Sequence, residues 1–267
     1  MVMAMAARSP RKALRTPAAT MSNGLPAPDQ LQAVLFDLDD TLIDARGSWR
    51  AGFAESIEEL HAAEPGLRAL GTPEEIYDGY FRHYTEDAFR AAGRGEWDER
   101  FTLEAYERLI ATHLRPDPTL AERLADHYRA IHVNHVAIYP DALETLVAAG
   151  ARYPLALITN GLSRIQRPKI ERFDLERYFE VVVVSGEAGL QKPDPAIFAL
   201  ALEPLGVAPE ATVYIGDNPY HDVVGAHAAG VGAIWVNRGD WHVESGDLVP
   251  DVEVRELREA WPYLGLE

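Results

Sequence analysis

Cysteine is absent from the 267-residue sequence. Without a thiol the chain cannot form a disulfide, a thiolate zinc site, an iron–sulfur cluster or a cysteine nucleophile. The lack of cysteine fits a reducing compartment, and we expect a cytoplasmic protein. Long apolar runs are also absent, because no stretch approaches the roughly 20 residues that a helix needs to span a bilayer.

Basic residues are scarce relative to acidic ones. The chain has 25 Lys and Arg against 42 Asp and Glu, which gives a formal net charge of −17 at pH 7. Such an excess of negative charge repels nucleic-acid backbones and anionic lipid surfaces, so we expect neither nucleic acid nor membrane as a partner. A small anionic ligand can bind only where local positive charges offset this field.

The first 30 residues differ in composition from the rest. They are rich in Ala, Pro, Arg and Ser and have no sustained apolar period. We predict a disordered basic tail over residues 1–30, or an upstream stretch that precedes Met21 as the true initiator. A transit-like targeting segment is the alternative, whereas a secretory signal would need an apolar region that is missing.

Apolar periodicity divides the remaining chain into a helical block and an alternating part. Between residues 45 and 135, apolar residues recur three and four positions apart, which predicts four or five helices. From residue 139 onward, helical patterns alternate with short β-branched runs. The predicted strands are 33–36, 155–158, 181–184, 213–215, 233–236 and 252–254, and the predicted helices are 142–149, 163–173, 195–205 and 222–229.

This alternation predicts parallel βα units. Because the strand at 33–36 belongs with the later strands, the helical block is an insertion into one sheet domain. The predicted fold class is α/β, with a Rossmann-like parallel sheet core and an inserted all-α helical cap domain. We assign the core to residues 31–44 and 136–267 and the cap to residues 45–135.

Four polar clusters follow the carboxyl ends of predicted strands. In open parallel sheets ligands bind at that edge, so we expect the clusters to form one site. Each cluster alone is also explained by turns and helix caps, in which Asp, Asn and Gly are common. The clusters are Asp37, Asp39 and Thr41; Thr159, Asn160 and Gly161; Gly186 through Lys192; and Gly216, Asp217 and Asn218 through Asp222.

The residue types in these clusters suit phosphoryl chemistry. One carboxylate of the Asp37 and Asp39 pair can act as a nucleophile while the other transfers protons. Asp217 and Asp222 offer the oxygen ligands that Mg²⁺ prefers. Lys192, held by the proline that follows it, can neutralise a phosphate, although most single lysines are solvated surface residues.

Together the clusters resemble the four motifs of the haloacid dehalogenase-like hydrolase superfamily. The resemblance covers about residues 31–44 and 139–254, and the helical insert lies where this family has its α-helical cap. The stretches 157–161 and 186–193 are most similar to the nucleotidase and sugar-phosphate phosphatase members. The matching motifs are Leu35–Leu42, Thr159–Gly161, Lys192–Pro193, and Gly216–Asp217 with Asp222.

The resemblance implies hydrolysis of a phosphomonoester through an aspartyl-phosphate. Asp37 would attack the phosphorus atom, and Asp39 would protonate the leaving alcohol and then deprotonate water. Mg²⁺ would be bound by the carboxylates of Asp37 and Asp217 and by the backbone carbonyl of Asp39.

The resemblance also implies how the phosphate is bound. Thr159, the backbone of Asn160 and Lys192 would hold its oxygens, and Asp222 would position Lys192 or a metal-bound water. The implied substrate is a small phosphorylated metabolite: a nucleoside 5′-monophosphate, a sugar phosphate or phosphoglycolate. We expect a monomer or a homodimer.

Other functions remain open on the same motifs. Dehalogenating members lack an acid at the position of Asp39, because a halide leaving group needs no proton, so Asp39 favours a phosphatase. A phosphosugar mutase is disfavoured by Asp40, where the similar mutases usually have glycine. A non-catalytic phosphate-binding module would have lost Asp37, Asp39 or Lys192, and a receiver-like signalling domain lacks a large helical insert.

Several residues in the predicted cap are weaker candidates for binding. Trp49, Arg50 and Phe53 come first after the Asp37 loop, so they are candidates for substrate contact, with helix packing as the competing interpretation. His132 and His135 are three residues apart on a predicted helix. That spacing can ligate a metal, but surface or packing roles are favoured because no third ligand is in view.

Overall fold

The computed structural model describes residues 24–63, 66, 68, 71–80, 100–113, 115–239 and 249–267. Most of the predicted tail, residues 1–23, lies outside this part. Its last seven residues, 24–30, are described, and several of them contact the core. The N–H of Gly24 donates to Asp251 at 3.0 Å, Leu25 packs on the hydrophobic core, and the Tyr153 hydroxyl donates to the Pro28 carbonyl at 3.3 Å.

Six strands form a parallel sheet in the order β5-β4-β1-β6-β7-β8. The predicted strands are confirmed to within one residue at each end. β1 occupies the middle of the sheet, between β4 and β6. The strand bounds are β1 (Ala33–Phe36), β2 (Ile43–Asp44), β3 (Ala137–Ile138), β4 (Leu155–Thr159), β5 (Val181–Val184), β6 (Thr212–Gly216), β7 (Gly232–Val236) and β8 (Val252–Val254).

Helices connect these strands and form the insert. Of the described residues, the α-helices are α1 (Ala45–Ala63), α2 (residues 73–80), α3 (Arg100–His113), α4 (Pro118–Ile131), α5 (Pro140–Gly150), α6 (Ser163–Arg172), α7 (Ser185–Ala188), α8 (Pro195–Leu205) and α9 (Gly225–Ala228). The 3₁₀ helices are His132–His135, Leu175–Tyr178, Pro209–Ala211 and Leu257–Leu264, and Pro219–Val224 is a π-helix. In the described part of the chain, no helix is both long and apolar enough to cross a membrane.

The helix predicted at 222–229 begins earlier than expected. The chain turns helical at Pro219, and the Asn218 side chain accepts hydrogen bonds from the N–H groups of Tyr220 and His221 at 3.0 and 2.9 Å. Asn at the cap and Pro in the first turn are both typical of a helix start. Apolar periodicity begins only at Val223, so it misses this polar first turn.

Both faces of the sheet are covered, which explains the apolar strands. Along β1, Val34 and Phe36 belong to the hydrophobic cluster on one side, whereas Ala33 and Leu35 belong to the cluster on the other. Alternate residues of a strand point to opposite faces, so a strand buried on both sides needs a continuous apolar run. Polar residues can therefore enter only where β1 ends, at Asp37.

The described helices of the insert have a hydrophobic cluster of their own. Phe53 is at its centre, with ring centroids 5.2 to 5.9 Å from those of Tyr77, Tyr80, Tyr106 and Tyr128. This cluster is separate from the two that cover the sheet. The predicted fold class, a Rossmann-like parallel sheet core with a helical cap, is confirmed.

A short antiparallel pair joins the insert to the core. Ile43 in β2 pairs with Ile138 in β3, and Asp44 pairs with Ala137. Apolar alternation could not predict these strands because each has only two residues. The pair holds the outgoing and returning chains side by side, so the helical insert lies next to the end of β1.

Candidate active site

Asp37 lies where the central strand ends. Its N–H continues the sheet by donating to the Ile215 carbonyl at 2.9 Å, and the Thr41 hydroxyl donates to its Oδ2 at 3.4 Å. The chain then turns sharply at Asp40, whose φ is +59°. Asp is among the few residues other than glycine that tolerate this region. The turn leaves the Asp37 side chain buried beneath the loop, with 8% exposure.

Lys192 is held at the centre of the site. Its ammonium donates to Asp37 Oδ1 at 2.5 Å, to Asp222 Oδ1 at 2.7 Å and to the Tyr214 hydroxyl at 2.7 Å. These contacts use all three N–H donors of the ammonium. The Asn160 side chain fixes the backbone of Lys192 from both sides, through hydrogen bonds of 2.9 and 3.0 Å.

Burial and charge oppose each other at this centre. Burial lowers the pKa of Lys192, but the Asp222 and Asp37 carboxylates raise it by more than burial lowers it. The pKa therefore lies above its usual value, and the side chain remains an ammonium. Burial raises the pKa of Asp37 to about 7; Lys192 opposes this shift and Asp222 adds to it. The Asp37 carboxylate is therefore a desolvated anion that depends on nearby positive charge.

A group of three acids extends from this centre, of which Asp37 and Asp222 are buried and Asp217 is half-buried. Ligand oxygens of Asp37, Asp217 and Asp222 lie within 4.8 Å of one another. Burial and the repulsion of Asp222, Asp40 and Asp37 raise the pKa of Asp217 well above its usual value. The guanidinium of Arg46, from the first turn of α1, pairs with Asp217 at 3.0 Å and with Asp40 at 2.8 Å.

The donor set of this group fits a hard divalent cation. All of its potential ligand atoms are carboxylate oxygens, which Mg²⁺ prefers over softer donors. Both oxygens of Asp222 accept short hydrogen bonds, from Lys192 at 2.7 Å and from the Asn218 N–H at 2.8 Å. Oδ2 of Asp37 has only the 3.4 Å contact from Thr41, so Asp37 and Asp217 are the better-placed carboxylates for a cation. From the sequence, we predicted that the backbone carbonyl of Asp39 is a third metal ligand. The carboxylate of Asp39 is not one of the three carboxylates in this group.

Gly216 makes this packing of acids possible. A Cβ at position 216 would lie 2.4 Å from Cγ and from Oδ2 of Asp222, far inside van der Waals contact. Only glycine lets the Asp222 carboxylate approach the end of β6 so closely. The close approach of Asp222 thus explains on steric grounds why the fourth motif has glycine before Asp217.

Asp39 lies on the other side of the site, against α6. Lys169 donates to both of its carboxylate oxygens, at 2.8 and 2.9 Å, and the Gln166 amide nitrogen lies 3.0 Å from Oδ2. Neither partner was predicted as a site residue. The available signal was a pair of polar residues three apart, on the buried side of the helix that follows Thr159.

Thr159 is also joined to this pair. Its side chain is buried, and its Oγ1 accepts a hydrogen bond from the Gln166 amide at 2.6 Å. The same amide nitrogen lies 3.0 Å from the carbonyl of Asn160. The structure thus brings Asp37, Lys192 and the Asp217 group together directly, and it links Thr159 to Asp39 through Gln166.

A cavity of about 150 Å³ opens beside Asp217. Its lining includes Asp40 from the loop after β1, Arg46 from the start of the insert, and Tyr139 and Arg238 from later parts of the core. The guanidinium of Arg238 lies over the Tyr139 ring at 3.9 Å and pairs with Asp141. The sequence motifs did not include Tyr139 and Arg238. These residues follow β3 and β7, outside the four matched motifs.

The cap candidates are not assembled at this site. Phe53 is fully buried in the insert's own cluster. Arg50 is exposed and lies 3.6 Å from Glu74 and 3.4 Å from Asp78. Phe53 therefore matches the packing interpretation, whereas Arg50 pairs with acids at the surface of the insert. Trp49 is half-buried at the start of α1.

His132 and His135, the candidate histidine pair, lie at the end of the insert. They lie on a 3₁₀ helix rather than an α-helix. His135 Nε2 is 2.5 Å from a carboxylate oxygen of Glu55, and the side chain of His132 lies outside the described part. Among the described residues, the acids Asp37, Asp217 and Asp222 are the single group that could hold a metal ion.

The fold and the site define an α/β enzyme scaffold with a buried lysine and clustered carboxylates at one edge of the sheet. The family of haloacid dehalogenase-like hydrolases matches residues 34–236, which is most of the chain. The protein belongs to this family.

Its relatives include several phosphatases. The chain is 33% identical to phosphoserine phosphatase of Thermus thermophilus over 86% of its own length and 98% of the relative. It is 31% identical to glyceraldehyde 3-phosphate phosphatase of Methanopyrus kandleri, over 86% and 95%. These matches confirm the prediction of a haloacid dehalogenase-like hydrolase from the phosphatase branch.

Solved structures share the fold. The HAD-hydrolase YfnB of Bacillus subtilis, bound to magnesium, superposes with a TM-score of 0.75 at 22% identity, covering 88% of this chain and 98% of that one. At this identity the likeness concerns the fold alone. Other solved structures with the same fold include L-2-haloacid dehalogenases.

Proposed function

We propose that this protein is a Mg²⁺-dependent phosphatase that hydrolyses a small phosphomonoester through an aspartyl-phosphate on Asp37. The observation that carries the proposal is the burial of Asp37 at the end of β1, 2.5 Å from the ammonium of Lys192. An anionic nucleophile can approach an anionic phosphate only where positive charge is already in place. Lys192 provides such a charge.

In the first half of the reaction, a carboxylate oxygen of Asp37 forms a bond to phosphorus as the bond from phosphorus to the leaving alcohol breaks. Asp39 donates a proton to the leaving oxygen. In the second half, Asp39 removes a proton from water, whose oxygen attacks the phosphorus of the aspartyl-phosphate. Inorganic phosphate leaves, and both aspartates return to their starting states.

The phosphate is bound by groups that meet at the edge of the sheet. Thr159 Oγ and the backbone of Asn160 hold its oxygens. The Lys192 ammonium joins them by exchanging its contact with Asp37 for one with a phosphate oxygen. Asp222 keeps Lys192 in place through its 2.7 Å contact. Asp37, Asp217 and the backbone carbonyl of Asp39 would hold Mg²⁺. The cation would neutralise charge on the phosphate and on the nucleophile.

The substrate class follows from the charge of the chain and from its relatives. A net charge of −17 disfavours polyanions, whereas a single phosphate can be matched by one lysine and a divalent cation. Phosphoserine and glyceraldehyde 3-phosphate, named for two relatives, are both small phosphomonoesters. We therefore propose a small phosphorylated metabolite, with a nucleoside 5′-monophosphate, a sugar phosphate and phosphoglycolate as the compounds to test first.

A dehalogenase is the second candidate, because haloacid dehalogenases share the fold. The two chemistries differ in what the leaving group needs. An alkoxide needs a proton and a halide does not. The carboxylate of Asp39, which is 24% exposed beside the site, is available for this transfer and favours the phosphatase.

A phosphomonoester panel with Mg²⁺, run beside 2-haloacids, tests the proposal. We expect the wild type to hydrolyse at least one small phosphomonoester and Asp37→Asn to hydrolyse none. Asp174→Asn is the matched control, because Asp174 is an exposed aspartate far from Asp37 in the sequence. Its backbone is in the left-handed region, which asparagine also tolerates. Unchanged hydrolysis by Asp37→Asn would refute the nucleophile, and turnover of haloacids alone would favour the dehalogenase.

A further inference from the structure

Gln166 and Lys169 lie three residues apart on α6 and join two parts of the candidate active site. The Lys169 ammonium donates to both carboxylate oxygens of Asp39 and to the amide oxygen of Gln166, all within 2.9 Å. The Gln166 amide nitrogen contacts Asp39 at 3.0 Å and Thr159 Oγ1 at 2.6 Å. One continuous hydrogen-bonded chain therefore runs from the phosphate-binding hydroxyl to the second aspartate.

The burial of Lys169 calls for an explanation beyond folding. Its side chain is 1% exposed, and removing an ammonium from water is costly unless every donor is satisfied. All three donors of Lys169 are satisfied, and all of the acceptors belong to Asp39 and Gln166. Since an apolar side chain would serve a buried helix face better, the position of Lys169 points to a task at Asp39.

We propose that Lys169 and Gln166 are positioning residues that orient the Asp39 carboxylate and the Thr159 hydroxyl for the reaction. The proposal rests on the proposed function of this site. Neither residue touches the phosphate; each acts through the side chain that it holds.

The two residues act on different partners. Two hydrogen bonds from one ammonium fix the plane of the ionised Asp39 carboxylate, the form that takes a proton from water. When Asp39 carries the proton for the leaving group, one oxygen bears the proton and the other keeps its hydrogen bond from Lys169, so the direction of proton transfer stays fixed. Thr159 Oγ1 accepts its hydrogen bond from Gln166, so the hydroxyl proton of Thr159 is left to donate elsewhere. A phosphate oxygen at the edge of the sheet is the acceptor that this orientation suits.

The leaving group of the substrate separates positioning from mere structural support. A p-nitrophenolate departs without a proton, whereas an alkoxide needs one from Asp39. We expect Lys169→Met to lower kcat/KM for an alkyl phosphate by about 10- to 100-fold, the usual cost of losing an outer partner of a catalytic group. For p-nitrophenyl phosphate the loss should be several-fold smaller, because kcat/KM reports the step in which the alcohol leaves.

Three further single variants and one double variant make the test decisive. Asp39→Asn should show the same dependence on the leaving group, and adding Lys169→Met to it should cost little more. Gln166→Leu should weaken competitive inhibition by inorganic phosphate, since its partner Thr159 binds that group. Arg167→Met is the matched control, because Arg167 lies on the same helix but pairs with Glu187 and Glu176 on the far side.

The proposal is overturned if Lys169→Met lowers kcat/KM equally for alkyl and aryl phosphates, or if Arg167→Met has the same effect. If Lys169→Met folds poorly, as thermal melting would reveal, Gln166→Leu still decides the question through the affinity for phosphate. A wild type that hydrolyses no phosphomonoester refutes the proposed function itself. Normal activity in both Lys169→Met and Gln166→Leu refutes only the positioning role.

Discussion

Replacing Lys192 by methionine tests how the buried charges at the site are balanced. The substitution keeps the length and the apolar stem of the side chain but removes the ammonium. Asp37 and Asp222 would then remain buried without the cation that contacts them at 2.5 and 2.7 Å, and the Tyr214 hydroxyl would lose a donor. Removing one partner of a buried ion pair costs about 3–5 kcal/mol, so we expect the free energy of unfolding to fall by that amount at pH 8.

The loss should depend on pH in a definite direction. With Lys192 present, burial already raises the pKa of Asp37 to about 7 in the folded state. Lys192 lowers this pKa, so removing its ammonium raises the pKa of Asp37 further. A carboxyl group whose folded pKa is raised binds its proton more tightly in the folded state, so the stability of the variant falls as the pH rises from about 4 through that pKa. At pH 5 the variant should recover much of the loss seen at pH 8.

Urea unfolding in EDTA, followed by tryptophan fluorescence at pH 5 and pH 8, measures both quantities. Arg177→Met is the matched control, because Arg177 is an exposed cation paired with Asp174; its loss should cost at most about 1 kcal/mol at either pH. The reasoning fails if Lys192→Met costs no more than this control at pH 8, or if its cost does not shrink at pH 5.

Three other predictions concern the metal, the cap and the fourth motif. Mg²⁺ at 100 times its Kd should stabilise the wild type by about 2.7 kcal/mol. Asp217→Asn removes a half-buried carboxylate that lies among other acids, so this variant should be more stable than the wild type in EDTA and gain little from Mg²⁺; equal gains in thermal melts would contradict this. Phe53→Ala should cost about 3–5 kcal/mol in urea unfolding because Phe53 is fully buried, and Arg50→Ala at most about 1 kcal/mol; the reverse order would be inconsistent with their packing. Gly216→Ala should lower both thermal stability and kcat, because its Cβ would displace Asp222; a variant equal to the wild type in both would exclude the steric role.

Much of the fold could be predicted because its pattern is local. A strand covered on both faces needs a continuous apolar run, and β1 and β5 were predicted with their exact bounds for that reason. Elements without such a pattern were missed. β2 and β3 have two residues each, and the helical turn at Pro219 is built by a polar cap rather than by apolar spacing.

The candidate site divides in the same way. Asp37, Lys192 and Asp217 each follow a strand, so their arrival at one edge of the sheet could be expected from strand order alone. Lys169 could not, because on a helix surface a lysine is normally solvated. Its burial against Asp39 depends on how α6 packs beside the loop that follows β1, and that packing involves residues 130 positions apart.

The sequence by itself determined the class of fold, the family and the set of polar residues at the ends of the strands, since apolar periodicity and short motifs are local properties. The tertiary structure decided which charges neutralise one another. Lys192 pairs with Asp37 and Asp222, Lys169 with Asp39, and Arg46 with Asp217. Ion pairs form between side chains that folding brings within about 3 Å, and an excess of acids along the chain carries no information about which acid will lie beside which base.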